Sequence, residues 1–114
     1  MNDCIFCKIA RGEIPAKIIY ESENFIAFPD ANPKVKGHTL IIPKKHFVNL
    51  IDLPAVSGSE LVDAIKKIFE IKQKEGCEGF NLIMNNFSAA GQAVMHAHLH
   101  FLPRKKGDKG FSTI

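Results

Sequence analysis

Three of the five histidines alternate with apolar residues in the segment 96–102, which reads His-Ala-His-Leu-His-Phe-Leu. On a β-strand, every second side chain lies on the same face at about 6.6 Å spacing, so the three imidazoles would line one surface. On a helix, the middle imidazole would point away from the other two. The alternation therefore predicts a strand over 97–102 whose core face is formed by Ala97, Leu99 and Phe101.

The segment 59–75 has apolar residues at a period of 3.6, which predicts the only long helix, with one buried stripe. Ser57 and Glu60 have the spacing of a capping box at its start. Gly76 lies where a helix end favours a left-handed residue. A shorter apolar turn over 5–9 predicts a second, brief helix.

Hydrophobic runs predict four further strands, over 17–20, 24–28, 38–42 and 80–84. Strands before and after one long helix favour an α+β fold, in which the helix packs on one face of an antiparallel sheet. A length of 114 residues with 46% hydrophobic and 24% charged residues suits a single globular domain and excludes a disordered chain. We expect this domain to cover 1–104, followed by a basic tail over 105–114.

Charge and cysteine content limit the partners. No run of 18 apolar residues exists to cross a bilayer, and the N-terminus does not resemble a secretory signal, so we expect a cytoplasmic protein without a membrane partner. Three cysteines are too few for a disulfide scaffold, and the pair Cys4-x-x-Cys7 indicates metal or redox chemistry. A zinc finger that binds nucleic acid is disfavoured by the net charge of only +3 and by the long separation of Cys7 from His96.

The segment 96–102 resembles the His-x-His-x-His-x-x signature of the histidine triad nucleotide-binding family, in which x is apolar. Further matches, in the family's order and spacing, lie at 3–9, 12–15, 28–30, 37–46 and 90–92. The resemblance covers nearly the whole chain. It implies a five-stranded antiparallel sheet with one long and one short helix, and a homodimer in which two such sheets join into one of ten strands.

The resemblance implies hydrolysis or transfer at the α-phosphorus of a purine nucleotide conjugate, through a nucleotidyl-histidine intermediate. His98 matches the nucleophile, and its second ring nitrogen should donate to a backbone carbonyl so that the attacking nitrogen is unprotonated. The other histidines of the predicted catalytic set are His96, His100 and His38.

Two sequence cues disagree on the substrate. Asn85 resembles the branch of the family that cleaves nucleoside phosphoramidates or related AMP esters. The ending Leu-Pro-Arg-Lys at 102–105 instead resembles dinucleoside polyphosphate hydrolases. A non-catalytic nucleotide-binding or scaffold protein with the same fold is a further alternative.

The resemblance also implies the substrate-binding residues. The phosphate would be held by Asn85, Gly91, Gln92, Val94 and His100. The ribose would be held by Asp30, and the base by an apolar slot of Phe6, Ile9, Ile14 and Phe28, which without the resemblance would be plain core. Ala93 departs from the family, which often has a hydroxyl residue there. Because a hydrogen bond to a charged oxygen contributes about 1.5–3 kcal/mol, slower turnover or a different leaving group is expected.

Cys4 and Cys7 have the spacing of half a zinc site, and His46 and His96 are available to complete a tetrahedral set. This arrangement is similar to the zinc site of one branch of the family, found in bacterial and archaeal members. Four protein ligands would leave no open position, so the zinc would be structural. A histidine that binds the metal cannot also move protons. The alternative is that both cysteines are small core residues.

Overall fold

The computed structural model describes residues 3–108, which form an α+β fold built on one antiparallel sheet. Its five strands are β1 (Tyr20–Glu21), β2 (Phe25–Pro29), β3 (Thr39–Pro43), β4 (Gly79–Ile83) and β5 (Leu99–Arg104). The helices are α1 (Ile5–Ala10) and α2 (Gly58–Gln73), with short 3₁₀ turns at Ala55–Ser57 and Ser88–Ala90. This confirms the predicted fold class. The part of the predicted basic tail from 109 onward lies outside the described residues.

The histidine-bearing strand β5 lies inside the sheet, because the strand order is β1-β2-β3-β5-β4. Leu99 pairs with Ile41 of β3 on one side, and His100 pairs with Ile83 of β4 on the other. Both neighbours are antiparallel to β5. An interior strand is held by hydrogen bonds along both edges, so the side chains on β5 have a rigid base.

Successive side chains of the strands point to opposite faces of the sheet, and each face has a buried core. The face under α2 has a core formed by Phe25, Ala27, Ile41, Ile68 and Phe101. Leu99 packs against the same core, as the alternation in the sequence predicts. The opposite face packs under α1, in a core formed by Phe6, Ile26, Phe28, Leu40 and Ile42. The long helix therefore covers one face, as predicted, and the short helix covers the other.

The predicted strand over 97–102 starts too early, because β5 begins at Leu99. The register of β3 and β5 would next pair Ile42 with His98 and Pro43 with Ala97. Pro43 has no N–H to donate, so the ladder cannot continue there. The Ala97 N–H instead donates to the carbonyl of Phe47.

The predicted capping box at the start of α2 is wrong. Ser57 has helical backbone angles and makes no side-chain hydrogen bond to the helix. The Glu60 carboxylate instead accepts from the Ser22 hydroxyl and from both the backbone and side-chain N–H of Asn24. These bonds attach α2 to the turn between β1 and β2. The prediction for Gly76 is confirmed, since its φ is +98° at the end of α2.

Other boundaries move by small amounts. The first strand is only two residues long and begins at Tyr20, so most of the predicted strand over 17–20 is irregular. The predicted strands over 24–28, 38–42 and 80–84 are each displaced by one residue. Within residues 3–108, no helix has both the length and the apolar character needed to cross a membrane.

We expect Ile68→Ala to lower the free energy of unfolding by about 2–5 kcal/mol, because Ile68 is fully buried between α2 and the sheet. Val62→Ala on the same helix is the matched control, since Val62 is half exposed, and it should change stability by less than about 0.5 kcal/mol. Urea unfolding measures both. Equal losses from the two variants would contradict the packing described for α2.

Candidate active site and metal centre

The five histidines separate into two clusters. His98, His100 and His38 form a chain of neighbouring rings, with centroids 5.1 Å apart for each adjacent pair. His96 is fully buried and faces a different group, formed with Cys4, Cys7 and His46. The structure thus places three of the four predicted catalytic histidines together and assigns the fourth to the cysteines.

The tautomer of His98 follows from its backbone contact. Its Nδ1 lies 2.7 Å from the carbonyl oxygen of His96. A carbonyl only accepts, so Nδ1 carries the proton and the neutral ring has its lone pair at Nε2. The ring is buried, and the edge-to-face neighbours Phe6 and His100 flank it. This is the arrangement that nucleophilic attack by an imidazole requires.

A second chain of hydrogen bonds sets the tautomer of His100. The backbone N–H of Lys34 donates to His38 Nδ1 at 3.0 Å, so the neutral His38 ring carries its proton at Nε2. That Nε2 lies 2.9 Å from His100 Nδ1 and 3.3 Å from Asp30 Oδ2. Because His100 accepts at Nδ1, its own proton lies at Nε2. His100 can therefore donate a hydrogen bond to a ligand oxygen.

Burial favours the neutral forms of the His38 and His100 rings. It lowers the pKa of His38, although the carboxylate of Asp30 opposes the change. Burial also lowers the pKa of His100, and the neighbouring imidazoles add to the effect. Asp30 itself is engaged, with Oδ1 accepting from the Asn32 N–H and Oδ2 facing His38. Its carboxylate has further lone pairs that can accept hydroxyl groups.

The loop between β4 and β5 is braced by Gln92, which is buried. Its side-chain amide donates to the carbonyls of Val48 and Val94, and its oxygen accepts from the Phe87 N–H. Its backbone N–H donates to the Phe87 carbonyl. The donors on Gln92 are thus used within the fold, on the carbonyls of Val48, Val94 and Phe87, and the phosphate contact expected of this loop stays a prediction.

The same loop has strained and left-handed backbone. Phe87 has a φ of +73°, a conformation that costs a non-glycine residue about 1–3 kcal/mol. Gly91 has a φ of +90°, which suits glycine. Val94 is partly buried against the core under α1. Asn85 follows β4 by two residues, and the register that pairs Ile83 with His100 carries it toward the level of His98.

The four residues of the predicted base slot differ in burial. Phe6 and Phe28 are buried and pack edge to face, with ring centroids 5.9 Å apart. Ile9 is partly buried against the same core, and Ile14 is half-buried. The two phenylalanines therefore belong to the core, the two isoleucines are only partly buried, and the base slot stays a prediction.

The cysteine cluster has the donors of a tetrahedral zinc site. His96 Nε2 donates to the Pro43 carbonyl at 2.8 Å, so its Nδ1 lone pair is directed to the sulfurs, 3.3 Å from Cys4 and 3.5 Å from Cys7. His46 Nδ1 lies 3.2 Å from the Cys7 sulfur. In a tetrahedral zinc site, sulfur and nitrogen ligands are about 3.5 Å apart.

The donor set therefore fits zinc. All four ligand atoms lie within 4.8 Å of one another. Cys4 is also the N-cap of α1, where its sulfur accepts from the Cys7 N–H, so the first helical turn brings the two sulfurs together. Burial raises the pKa of the Cys7 thiol and lowers that of the His96 imidazole. A bound dication would oppose the first effect by stabilising the thiolate.

Sequence reasoning missed the backbone groups that set the tautomers of His38 and His96. The Lys34 N–H orients His38, and the Pro43 carbonyl orients His96. No residue type is needed to supply a backbone N–H or carbonyl, so no motif signals either group. Only the fold brings them to the rings.

Known proteins are similar to this chain in sequence and in structure. The HIT domain profile matches residues 11–107. An uncharacterized HIT-like protein of Methanocaldococcus jannaschii is 48% identical over 105 residues, which cover 92% of this chain and 81% of that protein. A zinc-bound histidine triad protein of Mycobacterium smegmatis has a similar structure, with a TM-score of 0.87 and 40% identity over 94% of this chain and 78% of that chain.

Two relatives have names that describe an activity. The adenylylsulfatase of Arabidopsis thaliana is 42% identical over 108 residues, which cover 94% of this chain and 55% of that protein. The adenosine 5'-monophosphoramidase of Schizosaccharomyces pombe is 36% identical over 110 residues, which cover 96% of this chain and 80% of that protein.

We expect stability to fall as the pH drops below 6.5. Burial lowers the pKa values of His38 and His100 in the fold, so below the ordinary value of 6.5 the unfolded chain binds more protons. The contribution of these two histidines to the free energy of unfolding is complete above pH 6.5. It is lost as the pH falls from 6.5 through their lowered pKa values in the folded chain. Urea unfolding at a series of pH values measures this, and the double variant His38→Asn, His100→Asn should show a shallower decline. An unchanged slope would contradict the assignment.

Proposed function

The chain belongs to the HIT domain family, and from that premise we propose that it hydrolyses purine nucleotide conjugates at their α-phosphorus. The observation that carries the proposal is the hydrogen bond from His98 Nδ1 to the His96 carbonyl, which leaves Nε2 free to attack. The activity names of the two relatives support a substrate of the adenylyl class.

In the first step, the lone pair of His98 Nε2 attacks the α-phosphorus and forms a P–N bond. The bond from phosphorus to the leaving group breaks, and its electron pair goes to the leaving nitrogen or oxygen. The His100 Nε2–H donates to a phosphate oxygen as its charge grows. The leaving-group proton comes from substrate or solvent, because both ring nitrogens of His96 are engaged elsewhere.

In the second step, a water oxygen attacks the same phosphorus and the P–N bond breaks. The electron pair returns to His98 Nε2 and one proton of the attacking water passes to solvent, so the products are a nucleoside monophosphate and the regenerated neutral imidazole. Throughout, the His96 carbonyl accepts from Nδ1, which stabilises the cationic ring of the intermediate. Asn85, Gly91 and Val94 would surround the phosphate, and Asp30 would accept from the ribose hydroxyls.

Nucleoside phosphoramidates are the first choice of substrate, because Asn85 matches that branch and one relative is an adenosine 5'-monophosphoramidase. Dinucleoside polyphosphates are the second choice, on the Leu-Pro-Arg-Lys ending. The apolar slot recognises a purine by buried area and makes no hydrogen bond to its edge, so discrimination between adenine and guanine should be weak.

We further propose that Cys4, Cys7, His46 and His96 bind one structural zinc ion. The geometry of the donors and the zinc-bound relative support this. Bound zinc supplies a cross-link between α1 and the segment that leads into β5. His96 would belong to that cross-link, and its carbonyl would hold the His98 ring.

A homodimer with a continuous ten-stranded sheet is also proposed. β4 is an edge strand, and its Leu82 and Ile83 are 41% and 37% exposed. An apolar edge strand needs a partner or protection. The other edge, β1, has only two residues and is a poorer surface for pairing.

We expect His98→Asn to lower kcat by about 10⁴-fold or more, because the covalent route is lost. Hydrolysis of an adenosine phosphoramidate and of a diadenosine polyphosphate, assayed side by side, measures the effect and identifies the preferred substrate. AMP affinity by calorimetry is the control and should stay within about threefold, since Asn fills a similar space. A variant with near-native kcat would contradict the role of His98, and a wild-type chain that cleaves neither compound would favour a scaffold.

Elemental analysis of protein purified without chelator should find about one zinc per chain. Chelation should lower the Tm of the wild-type chain. In the variant Cys4→Ser, Cys7→Ser the zinc should be absent and chelation should have no effect. Cys77→Ser is the matched control, because Cys77 lies outside the cluster and bonds the Gly79 carbonyl. Metal-free wild-type protein with a Tm unchanged by chelator would overturn the zinc proposal.

Light scattering at micromolar concentration should give about twice the chain mass of 12.7 kDa. Leu82→Lys should shift the chain toward monomer by placing a charge on the β4 edge. Val56→Lys is the control, because Val56 is 86% exposed on a 3₁₀ turn away from that edge. A wild-type monomer with full specific activity would exclude a functional dimer.

A further inference from the structure

A cavity of about 750 Å³ lies beside the segment that precedes His38. It is enclosed by the segment 34–37 before β3, by the C-terminal end of α2, and by the end of β5 with the residues that follow it. None of the predicted catalytic, substrate-binding or zinc-binding residues lines it. Its volume is in the range of small-molecule sites.

The cavity wall is strongly basic. Its cationic residues are Lys34, Lys36, Lys72, Arg104 and Lys105. Its acidic residues are Glu75 and Asp108, so the wall has an excess of three positive charges. Asp108 Oδ2 accepts from the Lys105 backbone N–H at 2.9 Å and lies 3.7 Å from Arg104 Nε, so one cation of the wall has a counter-charge beside it. The excess charge favours an anion in the cavity.

Lys72 is the most unusual of these cations. Its side chain is only 8% exposed, and buried lysines are rare unless they are paired. The one ion pair recorded for it in residues 3–108 is with Glu75, whose carboxylate is 3.8 Å away and 64% exposed. That contact is too long for a hydrogen bond. A buried ammonium whose counter-charge is exposed and 3.8 Å away is unfavourable, and an anion in the cavity would supply a closer one.

Gly37 lies beside the Lys72 ammonium and Pro103. A Cβ at this position would lie 3.7 Å from Lys72 Nζ and 3.2 Å from Pro103 Cγ. The φ of Gly37 is +83°, which also favours glycine. The backbone of the segment 34–37 therefore lies close against Lys72, and Lys34 and Lys36 flank it on the same wall.

We propose that this cavity is an anion site for an oligophosphate group, anchored by Lys72 at its base and by Lys36 at its exposed wall. A chain of two or more phosphates matches cations spread over three walls better than a single phosphate does. The group can come from free pyrophosphate or from the phosphate chain of a nucleotide. The site shares no lining residue with the proposed hydrolase site, although the backbone N–H of the lining residue Lys34 donates to His38.

Calorimetry with inorganic pyrophosphate tests the proposal on the full chain, with AMP present in excess to fill the proposed nucleotide site. The variants are Lys72→Gln and the exposed Lys36→Gln. Lys66→Gln is the matched control, since Lys66 is an exposed lysine of α2 that does not line the cavity. A parallel titration with ADP distinguishes a nucleotide's phosphate chain from free pyrophosphate. Pyrophosphate can also chelate zinc, but all three variants keep the four proposed zinc ligands, so this effect would be the same in each of them.

We expect one pyrophosphate or ADP per chain, at least tenfold weaker binding for Lys72→Gln, severalfold weaker binding for Lys36→Gln, and a change within twofold for Lys66→Gln. If Lys72→Gln fails to fold, the comparison of Lys36→Gln with Lys66→Gln decides. Equal affinity of the cavity variants and the control, or no saturable binding at millimolar concentration, would overturn the proposal. Failure of AMP to bind would count against the hydrolase proposal and leave this comparison unaffected.

Discussion

The whole site depends on one hydrogen bond, from the His98 ring to the carbonyl of His96. It decides which ring nitrogen is free. The accepting carbonyl is itself held in place, because the His96 ring donates to Pro43 and faces Cys4 and Cys7. The cysteine cluster and the candidate nucleophile are thus two residues apart on one chain segment. A substitution that disrupts the cysteine cluster would therefore first disturb the orientation of the His98 ring.

The other side of the site is organised in the same way. The backbone N–H of Lys34 sets His38, and His38 sets His100. Both sets of hydrogen-bonded imidazoles therefore end on backbone groups, the His96 carbonyl and the Lys34 N–H. The sheet and the turn before β3 fix the positions of these groups. Burial favours the neutral form of His38 and His100, and neutral rings can have a defined tautomer. As a result, the lone pair at His98 Nε2 and the N–H at His100 Nε2 are set on neighbouring rings in the substrate-free chain.

The sequence predicts the secondary structure and fold well, but it predicts few of the individual side-chain contacts. The alternation at 96–102 correctly predicts that Leu99 and Phe101 lie in the core under α2. It does not predict that the strand begins only at Leu99, because that limit comes from the missing N–H of Pro43 in another strand. Glu60 is misread for a related reason. Its spacing from Ser57 is a local pattern, whereas its partners Ser22 and Asn24 are distant in sequence.

His98 is the residue that we propose forms a covalent bond to phosphorus. The direct measurement is mass spectrometry of the chain after turnover of an adenosine phosphoramidate is stopped in alkaline denaturant, which preserves a P–N bond. The account predicts a chain heavier by one adenylyl group, with the added mass on the peptide that contains His98 and absent from His98→Asn. Turnover without any adduct in a time-resolved series, or an adduct on another residue, would contradict it.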